Sequence, residues 1–186
     1  MTMLFKRVKP RTRRPGRVKR IIKVVVMTMV GTFAICGIAG IRINGSPSLA
    51  VGLYLVTARY DANLVEFCPT GPFAQLAIAR GYRDAGSCSD GGAPLLKPVV
   101  ARPGDLVEVS VAGVAVNGHL LPNTAPMKRD TKNRPLSSWP PGRYTVAPDS
   151  VWVASSYSMR SFDSRYFGPV PLDSVRNYVR PWITLP

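Results

Sequence analysis

Leu106-Val107-Glu108-Val109-Ser110-Val111 is followed by Ala112-Gly113, by Val114-Ala115-Val116 and then by Asn117-Gly118. The first run places valine at every second position, the period of a strand with one buried face. Ala112-Gly113 turns the chain and Val114-Ala115-Val116 pairs back on it. Asn117-Gly118 then supplies the residues that a tight hairpin turn requires. Working outward, Gly52 to Ala58 is a short apolar run, and Tyr144-Thr145-Val146 and Val151-Trp152-Val153-Ala154 read as further strands. Phe73 to Arg80 reads as one short helix, and the polar, basic, Pro-rich segment Met127 to Pro141 as a surface loop. With 18 Pro and 16 Gly among 186 residues, a helical bundle is disfavoured. Apolar residues make up 46%, enough for a core and too many for a disordered chain. There are no internal repeats. The fold class is mainly β with short helices.

The formal charge is +15, and ten of the 25 Lys and Arg residues lie before position 24. No acid occurs until Asp61. Such a tail points to nucleic acid or to a membrane surface, and the adjoining segment decides between them. Val24 to Ile41 is an uncharged stretch of 18 residues between Lys23 and Arg42. As a helix it would span roughly 27 Å, close to a thin hydrocarbon core. The cationic flank sets the N-terminus in the cytoplasm by the positive-inside rule. The expected organisation is a cytoplasmic tail over 1–23, a transmembrane anchor over 24–41 and an exported domain over 42–186. A cleaved signal peptide is an alternative, because Gly37 and Ala39 place small residues two apart, as a cleavage site requires. A buried soluble helix and a nucleic-acid-binding tail are the others.

Cys36 lies within the apolar stretch, whereas Cys68 and Cys88 lie in the exported part, an oxidising setting. A disulfide between the outer two would close a loop of about 20 residues and contribute roughly 3 kcal/mol through the unfolded state. Two unpaired thiols are the plainer alternative. The single histidine excludes a multi-His metal site. His119 follows Asn117-Gly118 and reads as a solvated turn residue rather than a base.

Three segments stand apart from this background. They are Ser46-Pro47-Ser48-Leu49-Ala50-Val51-Gly52-Leu53-Tyr54, then Leu95-Leu96-Lys97-Pro98-Val99-Val100-Ala101-Arg102-Pro103-Gly104-Asp105, then Ser161-Phe162-Asp163-Ser164-Arg165-Tyr166-Phe167-Gly168. Taken alone, Ser48 could be a turn serine, Lys97 an edge lysine, and Asp163 with Arg165 a surface ion pair. Lys97, however, interrupts an apolar run. Burial disfavours an ammonium and lowers its pKa, which makes lysine usable as a general base. A serine nucleophile needs such a base, because its hydroxyl is weak at neutral pH.

Together and in this order, the segments resemble the signal peptidase family of Ser-Lys proteases. The Ser-x-Asp-Ser-Arg-Tyr-aromatic-Gly pattern, here Ser161 to Gly168, is the most specific part. Within that family the chain is most similar to the TraF-type conjugal transfer peptidases, through Ser48-Leu49-x-x-Gly52-Leu53-Tyr54, the Gly91-Gly92-Ala93-Pro94 approach to Lys97 and the spaced cysteines. It departs from general leader peptidases in three places. No proline follows Ala50, Pro98 follows Lys97 where arginine is common, and Ser155-Ser156-Tyr157-Ser158 stands where Gly-Asp-Asn is usual.

The resemblance implies a signal-peptidase-like β fold after one transmembrane helix, and roles for named residues. Ser48 would be the nucleophile and Lys97 its base. The Ser48 N–H and the Ser46 hydroxyl would stabilise the oxyanion. Ser161 would orient Lys97. Asp163 would organise the site through Arg165 or assist catalysis directly. No cofactor or metal is implied. The implied partners are a pilin-type precursor, the membrane and components of a conjugation or type IV secretion apparatus, with no nucleic acid. The implied location is the bacterial inner membrane, with the catalytic domain in the periplasm. A general leader peptidase and an inactive anchored scaffold are the competing readings. Ser48 lies soon after Ile41, which keeps it near the membrane surface, and an extended substrate is expected to add as a strand beside Gly52.

Overall fold

The computed structural model describes residues 15–38, 40–58 and 62–185. The chain divides into a first unit, Met1–Ala39, and a second, Gly40–Pro186. In the first, helix α1 spans Pro15–Ile38. Proline suits a helix start, where its missing N–H has no partner to lose. The helix therefore begins inside the basic tail, and the rest of that tail lies outside the described residues. Ile41, expected to end the apolar stretch, instead opens a strand. Among the described residues no helix is long and apolar enough to cross a membrane.

The second unit runs β1 (Ile41–Asn44), β2 (Gly52–Thr57), β3 (Leu64–Phe67), α2 (Pro72–Ala79), β4 (Leu95–Ala101), β5 (Leu106–Ser110), β6 (Gly113–Val116) and β7 (His119–Leu120). It continues with β8 (Gly142–Thr145), β9 (Ser150–Val153), α3 (Ser164–Phe167), β10 (Val170–Pro171), a 3-10 turn (Leu172–Ser174) and β11 (Val175–Thr184). The described strands form one sheet in the order β1-β2-β11-β3-β4-β9-β10 and a second in the order β7-β6-β5-β8. Every pairing is antiparallel.

The alternating run behaves as its period requires. Val107 and Val109 are buried and Val111 reaches the exposed turn. Val107 and Val109 pack with Val114, Ala101, Val146 and Trp152 in the core under the smaller sheet. Asn117 and Gly118 take φ of 49° and 83°, the left-handed values of the tight turn. His119 is exposed, and lies in β7 rather than in the turn itself. The segment expected as a plain surface loop carries an anchor instead. Trp139 packs edge-on to Trp152 with ring centroids 6.4 Å apart.

The larger sheet has two cores. Val65, Phe67, Val151, Val153 and Val170 form one. Leu49, Tyr54, Leu64 and Val179 form the other, directly beside Ser48. Cys68 and Cys88 are joined in a disulfide, with Cα atoms 5.7 Å apart. This ties the end of β3 to the segment after α2. One expectation fails here. β2 is paired on both sides, by β1 and by β11, so no edge beside Gly52 is open to an added strand. A Cβ on Gly52 would collide with the Ile183 carbonyl oxygen. Among the described strands of this sheet, β1 lies at the edge next to β2.

Candidate active site

Ser48 sits in the loop between β1 and β2, and the loop is held by buried Asn44. The Asn44 side-chain amide donates to the carbonyls of Ser46, Leu49 and Ala50 at 3.0, 3.4 and 3.1 Å. Its Oδ1 accepts from Ser46 N at 3.1 Å. The Tyr54 hydroxyl adds a bond to Ala50 O at 2.6 Å. A tight loop that makes few backbone ladder bonds is thus satisfied by side chains. Within it, Ser46 Oγ and Ser48 Oγ share a hydrogen bond of 3.0 Å, and Ser48 N–H donates to Ser46 Oγ at 3.3 Å. Ser46 is therefore placed beside both the hydroxyl and the N–H of Ser48.

Lys97 lies in β4, paired with Val65 of β3 on one side and just past Val153, the last residue of β9, on the other. Its neighbour Pro98 has no N–H to give. The β9 side of the strand pairs only at Val99 and Ala101, with a bulge between them. Beyond that point the chain after β9 leaves the sheet, and room opens beside the lysine. Lys97 is 5% exposed, and Nζ donates to Ser161 Oγ at 3.1 Å. Burial pulls its pKa down to about 8; the Asp163 carboxylate works against that shift and the Arg165 guanidinium with it. Ser46, Ser48, Lys97 and Ser161 all line one cavity of about 680 Å3. No hydrogen bond joins Ser48 to Lys97: Ser48 Oγ bonds to Ser46 and Lys97 Nζ to Ser161. General bases often close on their partner only when substrate is bound.

Asp163 and Arg165 are fully buried behind this cavity. Asp163 Oδ1 accepts from Arg165 N and Nε at 3.2 and 2.8 Å. Its Oδ2 accepts from Arg165 Nη2 and Ser155 N, both at 3.0 Å. Every oxygen is thereby occupied, and none of these bonds reaches Lys97 or Ser48. Asp163 thus ties Arg165 to the segment that follows β9. Arg165 also donates to the carbonyls of Asn123, Met159 and Ser155 at 2.9, 3.2 and 2.8 Å. None of its bonds reaches Ser48, and it does not line the cavity. Asp163 further caps α3, and Ser164 Oγ accepts from Val153 N at 3.0 Å, which fixes the motif against β9.

The outer wall joins two distant segments. The Tyr82 hydroxyl donates to Asp130 Oδ2 at 2.6 Å, and Arg134 Nη2 donates to Arg80 O at 3.0 Å. Burial pushes the Asp130 carboxyl up, but the hydrogen bonds from Tyr82, Arg134 and Lys132 win and hold it below the usual carboxylate range. Tyr82 packs on Phe162 at 5.1 Å between centroids, so the disulfide-closed segment braces the residue next to Ser161. Among the described residues no cluster of His, Cys, Asp and Glu could hold a metal ion.

Two residues that shape the site, Asn44 and Ser155, escape a reading of the sequence for function. Asn44 had a signal: an Asn two residues before a serine in a Gly-Ser-Pro setting can form an Asx-turn. Ser155 had none, because its bond to Ser48 spans 107 positions of the chain.

Three serines and a buried lysine facing one cavity fit a serine peptidase of the signal peptidase type. The chain belongs to the signal peptidase family, peptidase S26, whose model matches residues 16–183. It is 39% identical over 173 residues to "Plasmid transfer protein TraF" of Escherichia coli, covering 89% of this chain and 97% of that one. It is also 39% identical over 165 residues to "Probable conjugal transfer protein TraF" of Sinorhizobium fredii, covering 86% of each. Among solved structures, a signal peptidase I from Enterococcus faecalis aligns with a TM-score of 0.35 at 18% identity, covering 66% of this chain and 97% of that one.

Proposed function

We propose that the chain is a membrane-anchored serine endopeptidase in which Ser48 and Lys97 form a dyad that matures a pilin-type precursor for conjugative transfer. The observation that carries the reading is Lys97: a lysine buried on β4, oriented by Ser161, with its pKa pulled down to about 8, facing the same cavity as Ser48. A lysine placed so can be neutral when it is needed as a base. Ser48 Oγ attacks the scissile carbonyl, Lys97 Nζ takes its proton, and the Ser48 N–H and Ser46 hydroxyl stabilise the oxyanion. Lys97 then returns the proton to the leaving amine, and an acyl-enzyme is left on Ser48. Water resolves it by hydrolysis, or an amine of the same pilin resolves it by ring closure; both share the first step.

The relatives named as conjugal transfer proteins support the pathway, and the cationic tail followed by Val24 to Ile41 supports an inner-membrane anchor with a periplasmic catalytic domain. The test is the mass of the pilin-type precursor from cells carrying wild type, Ser48→Ala or Lys97→Arg. Arginine keeps its proton, so it preserves charge and removes the base. The precursor should be processed with wild type alone. Processing by either variant at near wild-type rate overturns the dyad and leaves the anchored-scaffold reading. Broad cleavage of unrelated exported precursors would make the chain a general leader peptidase.

A further inference from the structure

Ser155 is fully buried just beyond β9, and it is not among the residues lining the cavity. Its four polar contacts face in two directions. On one side its backbone N–H donates to Asp163 Oδ2 at 3.0 Å and its carbonyl accepts from Arg165 Nη2 at 2.8 Å. On the other side its hydroxyl donates to the carbonyl of Ser48, a residue 107 positions away. The same Oγ accepts from Tyr157 N at 3.0 Å, which fixes the hydroxyl's direction. Ser155 is thus the point at which the buried Asp163–Arg165 pair touches the loop that carries Ser48.

We propose that Ser155 is a positioning residue that holds the Ser48 backbone against the Asp163–Arg165 pair, so that the hydroxyl of Ser48 meets the substrate carbonyl in the attacking geometry. The inference rests on Ser48 being the nucleophile. The Ser48 carbonyl belongs to the peptide plane joining Ser48 to Leu49. If that plane turns, the Ser48 backbone turns with it, and the Cβ–Oγ bond swings relative to the cavity. Asn44 fixes the carbonyls of Ser46, Leu49 and Ala50 but makes no bond to that of Ser48. The Ser155 hydroxyl supplies the missing restraint. Misplacement of a reacting group by about 1 Å can cost about 100-fold in rate. Because Ser155 works through its hydroxyl on one side and its backbone on the other, the two functions separate on substitution. Ser155→Ala deletes the bond to Ser48 and leaves both bonds to the Asp163–Arg165 pair.

The test compares full-length wild type, Ser155→Ala and Ser48→Ala in detergent, with an internally quenched peptide spanning the cleavage site of the pilin-type precursor. Ser155→Ala should lose between 10- and 100-fold in kcat, on the order expected for misplacement. KM should stay within about twofold, because the residue is behind the wall rather than in it. The midpoint of its pH–rate profile should match wild type, because the charges around Lys97 are unchanged. Wild-type kcat in Ser155→Ala overturns the proposal. So does a moved midpoint, which would make Ser155 act through Lys97. Failure of Ser155→Ala to fold, or a parallel loss in kcat and a rise in KM, also overturns it by making the hydroxyl a structural one. Full activity in Ser48→Ala, or no cleavage by wild type, would instead remove the peptidase reading on which this one stands.

Discussion

Replacing Lys97 by methionine should make the folded protein more stable at neutral pH while removing its activity. The native pKa is about 8 and the ordinary lysine value is 10.5, and burial is the main cause of the gap. Below pH 8 both folded and unfolded chains carry the proton, and the native state bears the full cost of a desolvated ammonium. As pH rises from about 8 to 10.5 the native state has released its proton and the unfolded state has not, so stability climbs with pH across that window. At about 1.4 kcal/mol per pKa unit the gap is worth about 3 kcal/mol. Methionine has nearly the same reach and no charge, but it abandons the Ser161 hydroxyl, at about 1 kcal/mol. The net advantage of Lys97→Met near neutral pH is therefore about 2 kcal/mol. Urea unfolding of both proteins, disulfide intact, at about pH 7 and about pH 10 measures it. All other titrating groups are common to the two and cancel. The advantage should fall by more than about 2 kcal/mol across that range and change sign. A difference that stays constant with pH would refute the idea that Lys97 is held against its desolvation cost.

Three further outcomes are expected from the same geometry. With neutral Lys97 as the base, kcat/KM should rise through about pH 8; Asp163→Asn removes the charge that opposes the shift and should move the midpoint down, read from the acid limb of the profile. Replacing Cys68 and Cys88 by serine should lower stability by roughly 3 kcal/mol, measured by denaturant midpoint, through the unfolded state of a loop of about 20 residues. Gly52→Ala should cost more than about 2 kcal/mol in thermal unfolding, because β11 backbone already fills the space and φ there is 155°; a neutral effect would mean that β2 and β11 separate readily.

The fold class and the site were legible in the sequence to different depths. The β5–β6 hairpin needed only period and turn chemistry, both local. The ten-residue strand β11 was not read, because Arg176, Asn177, Arg180 and Pro181 break any two-residue period. It is held by partners on both sides, β2 and β3, which no local pattern records. Trp139 was hidden in the same way, since a Pro-rich polar setting says nothing about where one aromatic ring packs. At the site, Ser48, Lys97 and Ser161 could be read because unusual residues stood in ordered motifs. The Asp163 carboxylate could be located but not given a role, because its role depends on which oxygen each donor takes. Ser155 lay in a stretch that departs from the leader-peptidase pattern, and only the three-dimensional structure shows what it touches.

The strand that precedes the nucleophile loop has a mechanical consequence. β1 begins at Ile41, directly after the N-terminal unit, and runs antiparallel to β2 over the four residues Ile41 to Asn44. Any tension in the connecting chain enters the catalytic unit through this strand. Pulled along its own axis, β1 is loaded in shear, and its hydrogen bonds to β2 share the force. Pulled across that axis, it would peel, starting from the Val56 N–H to Gly40 carbonyl bond at 2.8 Å. Asn44 is the last residue of β1 and the first support of the Ser48 loop, so it is the last of the strand to feel the peel. The Ser48 loop is separated from any tug at the tether by the length of one short strand.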